Sequence, residues 1–163
     1  MDEAKFWAMI DNAHEASKGD MEAKCEAIEE AIAQLEPVDA EAFGRFFDAA
    51  MDRAYTWALW GAAYVIAGGC SDDAFMDFRA TLISMGQAAF ERTLSEPDSL
   101  AELDLGEDEL FFEGYQYAVM DAVEETLGEP VERDVPAPEE PTGVQWDEDK
   151  VYALYPRLAD KHG

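Results

Sequence analysis

The sequence predicts an all-α fold: a compact bundle of about six helices, then a proline-rich linker and a short C-terminal helix. Three observations carry this. Apolar residues recur at helical spacing over most of the 163 residues. No run rich in Val, Ile and Thr alternates with polar residues, so strands are not expected. Glycine and proline fall mainly between the helical runs, where they act as stops. A content of 48% apolar and 12% aromatic residues is enough for a core, and the length suits one domain.

Phe6, Trp7, Met9, Ile10 and Ala13 mark a first helix from Glu3 to Lys18, stopped at Gly19, with Asp20 as the next N-cap. Met21, Cys25, Ile28, Ile32 and Leu35 share one face of a second helix, which places Cys25 in the core as a buried thiol. Pro37 pushes Glu36 out of the helical region and ends it. Asp39 is the expected cap of a third helix carrying Phe43, Phe46, Phe47, Ala50, Met51, Ala54 and Tyr55. From Trp57 to Ile66 apolar side chains surround the axis almost completely, as in a buried central helix. Gly68-Gly69 supplies its stop, and Ser71 or Asp72 caps the following helix, whose apolar face runs from Phe75 to Leu94 with Gly86 as an interruption or a break.

Leu110 to Leu127 reads as the last long helix of the body, stopped by Gly128. Residues 1–128 are therefore read as a helical body. Residues 129–145 follow as an acidic linker, because Pro130, Pro136, Pro138 and Pro141 exclude helix and favour semi-rigid extended chain. Residues 146–163 return to a helical pattern, with Asp147 as cap and Val151, Leu154, Tyr155 and Leu158 apolar. This tail is expected to pack back on the body, since Trp146, Tyr152 and Tyr155 would otherwise sit in water.

Lys and Arg number 11 against 38 Asp and Glu, a formal charge of -27. That balance excludes a protein that binds the phosphate backbone of DNA or RNA through displaced counterions, and it disfavours an anionic membrane surface. The acidity is concentrated: Ser95 to Glu113 carries eight acids and no base, and Glu129 to Asp149 carries eight acids against Arg133. The longest apolar stretch, Trp57 to Gly69, is shorter than the ~20 residues that span a bilayer. Cys25 and Cys70 lie in no CxxC or zinc-type spacing and are expected to stay reduced and unbridged. A cytoplasmic location follows as the expectation.

Chemistry is sparse in the pattern. The string Gly68-Gly69-Cys70-Ser71-Asp72-Asp73 places a thiol at a helix N-terminus, where a nucleophile would gain acidity. The only histidines, His14 and His162, belong to no motif, and Asp72 and Asp73 oppose a thiolate, so a helix stop followed by a capped start explains the string better. Asp73 and Asp77 stand at i, i+4, but EF-hand spacing is absent and no metal or other cofactor is expected. Neither a glycine-rich phosphate loop nor GxSxG occurs. Arg45, Arg53 and Arg79 lie among the aromatic residues and are expected to pair with carboxylates or cap carbonyls, with a buried arginine facing a pocket as the alternative.

The N-terminal Met1 to Trp7, the central Tyr55-Thr56-Trp57-Ala58-Leu59-Trp60-Gly61-Ala62-Ala63-Tyr64-Val65-Ile66, the string Gly68 to Phe75, Phe78-Arg79 with Leu82-Ile83 and Gly86, and the closing Tyr155-Pro156-Arg157-Leu158 resemble the bacterial domain of unknown function family 4240. The resemblance implies a small helical bacterial protein with no assigned activity and no agreed catalytic residues.

Two functional readings follow. The first is a non-enzymatic interaction protein whose acidic C-terminal surface, centred on Glu102, Asp104, Glu107, Asp108 and Glu109, engages a basic partner protein. Nucleic-acid mimicry and immunity-type inhibition are two forms of it, and acidity that serves only solubility is its competitor. The second is a small-ligand binder or enzyme using a pocket near Gly68 to Phe78 with Cys70, Asp72, Asp73 and Arg79. An open pocket there favours the second reading, and a sealed core favours the first.

Overall fold

In the computed structural model, which describes residues 1–162, the chain is all-α, with turns and irregular chain over residues 128–150. The elements are α1 (Glu3–Ser17), α2 (Met21–Ala33), α3 (Pro37–Arg53), α4 (Trp57–Ala67), α5 (Asp72–Ser84), α6 (Gln87–Ser95), a 3-10 turn (Pro97–Glu102), α7 (Glu107–Leu110), α8 (Tyr115–Leu127), α9 (Val151–Leu154) and α10 (Pro156–His162). Six of these helices, α1 to α5 and α8, have eleven residues or more and carry the body. The one β-type pairing among the described residues is an isolated bridge between Thr56 and Thr142.

Local chemistry sets the boundaries. Asp2, Asp20, Thr56 and Ser71 each accept a hydrogen bond from an early backbone N–H of α1, α2, α4 and α5. Such caps contribute about 1 kcal/mol each. Asp39 is not the cap of α3. That helix already starts at Pro37, where a missing N–H costs nothing, and Asp39 instead accepts from the Met1 amine at 3.0 Å. At Gly86 the chain breaks, and α6 starts with Gln87 N–H donating to Asp11 at 3.0 Å.

The run from Leu110 to Leu127 is two helices rather than one. Gly114 takes φ 137°, a conformation that side-chain-bearing residues rarely adopt. The turn this makes sets Phe111 against Phe78, with ring centroids 5.1 Å apart, and lets the Phe112 carbonyl accept from Thr81.

The hub of the bundle is α8, which packs against α2, α3 and α5. Around it lie the buried side chains Ile28, Ile32, Phe43, Phe47, Phe75, Ile83, Tyr115, Val119 and Val123. Full burial of one such aliphatic or aromatic residue contributes roughly 1.5–3 kcal/mol. On α2 the buried line is Lys24, Ile28 and Ile32, so Cys25 is only half-buried and a lysine takes the place expected of the thiol. The Lys24 ammonium donates to the Ser84 hydroxyl at 3.2 Å, and burial lowers its pKa to about 8.

The expected central helix, α4, is apolar all round for a different reason. Leu59, Ala62, Ala63, Val65 and Ile66 face the body. Its other side, with Trp57, Trp60 and Tyr64 half-buried, is partly covered by the C-terminal chain. Trp146 donates from its indole to the Trp57 carbonyl at 2.7 Å, and the Tyr155 hydroxyl donates to the Ala58 carbonyl. A Cβ on Gly61 would lie 2.7 Å from the Tyr155 hydroxyl and 3.0 Å from Trp146, so only glycine allows this approach. Asp98 caps α10 by accepting from the N–H of Leu158 at 2.9 Å.

Candidate functional site

At the glycine string the chain is closed. The Trp60 indole donates to the Cys70 carbonyl at 2.9 Å, and the Trp60 ring stacks on Phe75 with centroids 5.0 Å apart. Burial pushes the Cys70 thiol up to about 12, which leaves no thiolate near neutral pH. Asp73 is exposed on the first turn of α5. Neither Cys70 nor Asp73 lines a cavity near the string, and Asp72 is held by the Tyr55 hydroxyl, which donates to it at 3.2 Å. Among the described residues no three of the His, Cys, Asp and Glu side chains gather as metal ligands would.

Beside Asp72, Met76 and Arg79 of α5 the surface opens, next to the Gly68 to Phe78 stretch where the second reading placed a pocket. A cleft of about 200 Å³ lies between α3, α5, α8 and the extended segment after Gly128. Arg79 lines it although only 7% of this residue is exposed. The guanidinium lies 4.4 Å over the Tyr55 ring and 4.9 Å over the Phe75 ring, and Nη1 donates to the Met51 carbonyl at 2.9 Å. Its Nε is buried with no hydrogen-bond partner. Burial lowers the Arg79 pKa, with Asp72 and Tyr55 opposing the shift, and the group stays charged. Gln116 Oε1, on the α8 side, is a second buried polar atom without a partner. The outer wall is Arg133, which pairs with Asp48 at 3.5 Å and with Asp52. Burial raises the Asp48 pKa, and the nearby Arg133 opposes that shift.

The other arginines among the aromatic residues are fully engaged. Arg53 makes two parallel bonds to Glu91 at 2.7 and 2.6 Å. Arg45 pairs with Glu41 at 3.1 Å and Asp134 at 3.5 Å.

The acidic surfaces divide in two. Glu102 is occupied inside the molecule: Arg92 reaches it at 2.7 Å and Arg157 at 3.1 Å, and both hold its carboxyl below the usual range. Asp104, Glu107, Asp108 and Glu109 are exposed, the last three on the single turn of α7. A broader feature lies elsewhere. Between α2 and α8 runs an open groove of about 730 Å³. Its apolar lining is Ala33, Leu35, Ala118 and Ala122; Glu29, Glu30, Asp121 and Glu125 also line it, and no Lys or Arg does.

The model of the family described as "Protein of unknown function (DUF4240)" matches residues 1–125. The chain belongs to the DUF4240 family. No curated protein and no solved structure matches it. The DUF4240 match takes in α1 to α7 and most of α8, and with them Arg79, Gln116, Tyr55, Asp72 and nearly all of the α2–α8 groove. The outer wall of the cleft, with Arg133, and the tail on α4 lie beyond the matched residues.

Of the residues singled out in this DUF4240 sequence, Asp72 and Arg79 meet at the cleft, while Cys70 and Asp73 do not. Gln116, Asp48, Asp52 and Arg133 escaped the pattern because they come from distant elements; Arg133 and Asp52 are 81 residues apart. The groove escaped it as well, because Glu29, Glu30, Asp121 and Glu125 read as the ordinary solvated sides of two amphipathic helices. Lys24 alone left a signal: it stands at i, i+4 from Ile28 and i, i+8 from Ile32.

Proposed function

We propose that this DUF4240 member is a non-enzymatic binding protein that engages a basic segment of a partner protein, with the α2–α8 groove as the principal seat. The observation that carries this reading is the lining of that groove: four carboxylates, an apolar strip and no cation. Lysine or arginine side chains would meet Glu29, Glu30, Asp121 and Glu125, and their aliphatic stems or neighbouring apolar residues would cover Ala33, Leu35, Ala118 and Ala122. None of these four carboxylates has an ion-pair partner among the described residues, so a basic segment displaces nothing. The exposed acids Asp104, Glu107, Asp108 and Glu109 add to the field that draws such a partner in. Glu102 is not part of the contact, because two arginines already hold it.

The test uses amphipathic helical peptides of matched length, one series basic and one acidic, titrated into protein labelled for NMR. Basic peptides should shift the amides of Ala33, Leu35, Ala118 and Ala122, and binding should weaken as salt rises because exposed charges are screened within ~8–10 Å. The variant Glu29→Gln, Glu30→Gln, Asp121→Asn, Glu125→Gln should lose most of that affinity. The variant Asp104→Asn, Glu107→Gln, Asp108→Asn, Glu109→Gln should chiefly slow association. Shifts confined to other faces, or full affinity in the groove variant, would defeat the proposal.

A further inference from the structure

We infer that the cleft at Arg79 is a binding site for a small zwitterion, a molecule carrying a carboxylate close to an ammonium group, the class to which free amino acids belong.

Arg79 is the starting point. In a chain with 38 Asp and Glu its guanidinium is buried, yet no carboxylate among the described residues lies within ion-pair distance of it. A guanidinium cannot shed its charge to relieve burial. Two aromatic faces and one carbonyl compensate in part, and Nη1 is the nitrogen bound to Met51. Nε is sealed off, so Nη2 is the nitrogen left to a carboxylate in the cleft, through a charge-assisted bond. A carboxylate in the cleft would supply the missing partner.

A simple anion does not complete the site. Asp48, Asp52 and Asp72 line the same cleft and add negative charge. An ammonium beside Asp72 would offset the repulsion that these acids exert on the carboxylate. The volume of about 200 Å³ admits a compact molecule and excludes a folded chain segment. This site is separate from the α2–α8 groove, and it stands or falls independently of that reading.

The experiment is a thermal-shift and calorimetric screen of the full chain against each of the twenty amino acids, with acetate, succinate and inorganic phosphate as controls. At least one amino acid should raise the melting temperature in proportion to its concentration and give a saturable heat. Acetate, succinate and phosphate should not match it. Arg79→Met and Asp72→Asn should each weaken binding by at least about tenfold. The Asp72 variant is at an exposed position and guards against a folding failure at Arg79. The side-chain amide resonance of Gln116 should shift on titration, which reads the site without any variant. Absence of binding by all twenty amino acids overturns the inference. So does equal binding by acetate or phosphate, or affinity that survives both substitutions.

Discussion

Among the described residues two cationic side chains are buried, Lys24 and Arg79, and neither has a carboxylate partner there. Their surroundings differ. Lys24 sits in the body with one hydrogen bond, to Ser84, and close enough to His14 to help lower its pKa. Arg79 has two aromatic faces, a carbonyl and a cleft beside it. The comparison shows how the two head groups survive burial. An ammonium is compact and strongly hydrated, and its answer to burial is to release the proton, so its pKa falls to about 8. A guanidinium keeps its proton and must be met by π faces, carbonyls or a ligand. Lys24 is thus a pH-dependent cost to the fold, and Arg79 is a standing demand for a partner.

The largest effect is expected at Lys24. Replacing it by Met keeps most of the volume and removes a buried charge, and Ser84 still donates to the Thr81 carbonyl. Lys24→Met should stabilise the protein by about 1–3 kcal/mol at pH 7, measured by urea unfolding. The gain should depend on pH. Below about pH 8 both the folded and unfolded chains hold the Lys24 proton, and the cost is fully present. Between about 8 and 10.5 the unfolded chain still holds it and the folded chain has released it, so wild-type stability from this group rises with pH. Cys70, raised by burial, pulls the other way above pH 9 in both proteins alike; Lys24 opposes the rise at Cys25, so its removal lets that thiol rise further and adds to the narrowing of the difference. The difference between Lys24→Met and wild type should therefore shrink steadily across that window. A difference that stays constant with pH would mean that Lys24 is not buried as an ammonium.

Arg79→Met is the matching change on the other side of the comparison, and its effect should be smaller. It removes an unpaired charge but also the Met51 bond and two π contacts. In the absence of any ligand these offset, and stability should stay within about 1 kcal/mol of wild type. The difference should not vary between pH 7 and 10, since a guanidinium does not titrate there. A loss above about 3 kcal/mol would show that the fold already satisfies Arg79 and has no need of a ligand.

The all-α class and the order of the helices were legible in the sequence because periodicity reports which face of a helix is buried. It does not report what covers that face. The residues around Trp57 to Ile66 read correctly as apolar on all sides, yet the helix is not the hub; the Trp146 and Tyr155 side chains partly cover its outer face. Leu110 to Leu127 read as one helix because Phe111, Tyr115, Ala118 and Ala122 keep helical spacing. The break at Gly114 is a backbone choice that side-chain spacing does not encode. Cys25 lost its place to Lys24 through a rotation of one residue about the α2 axis, since positions 24 and 25 both lie near Ile28. At the cleft, Asp72 and Arg79 were visible as unusual residues in one helix. The rest of the lining was not, because Gln116 and Arg133 join the cleft only through the packing of α8 and the return of the chain after Gly128.

The smallest effect is expected at Arg133, the exposed counterpart of Arg79. It stands over the same cleft, but it meets Asp48 at 3.5 Å and Asp52, and its Nε donates to the Val135 carbonyl at 3.2 Å. Its carboxylate partners are about one quarter exposed, so water screens the pairs. Arg45 holds the same extended segment independently, through Asp134 and the Glu132 carbonyl. Arg133→Gln should then cost about 0.5–1 kcal/mol at low ionic strength and less in 0.5 M salt, because salt screens exposed ion pairs. Equilibrium unfolding of both proteins at the two salt concentrations checks this. A cost above about 2 kcal/mol that persists in high salt would place Arg133 among the buried cations, and the contrast between a free and a satisfied arginine at this cleft would then be lost.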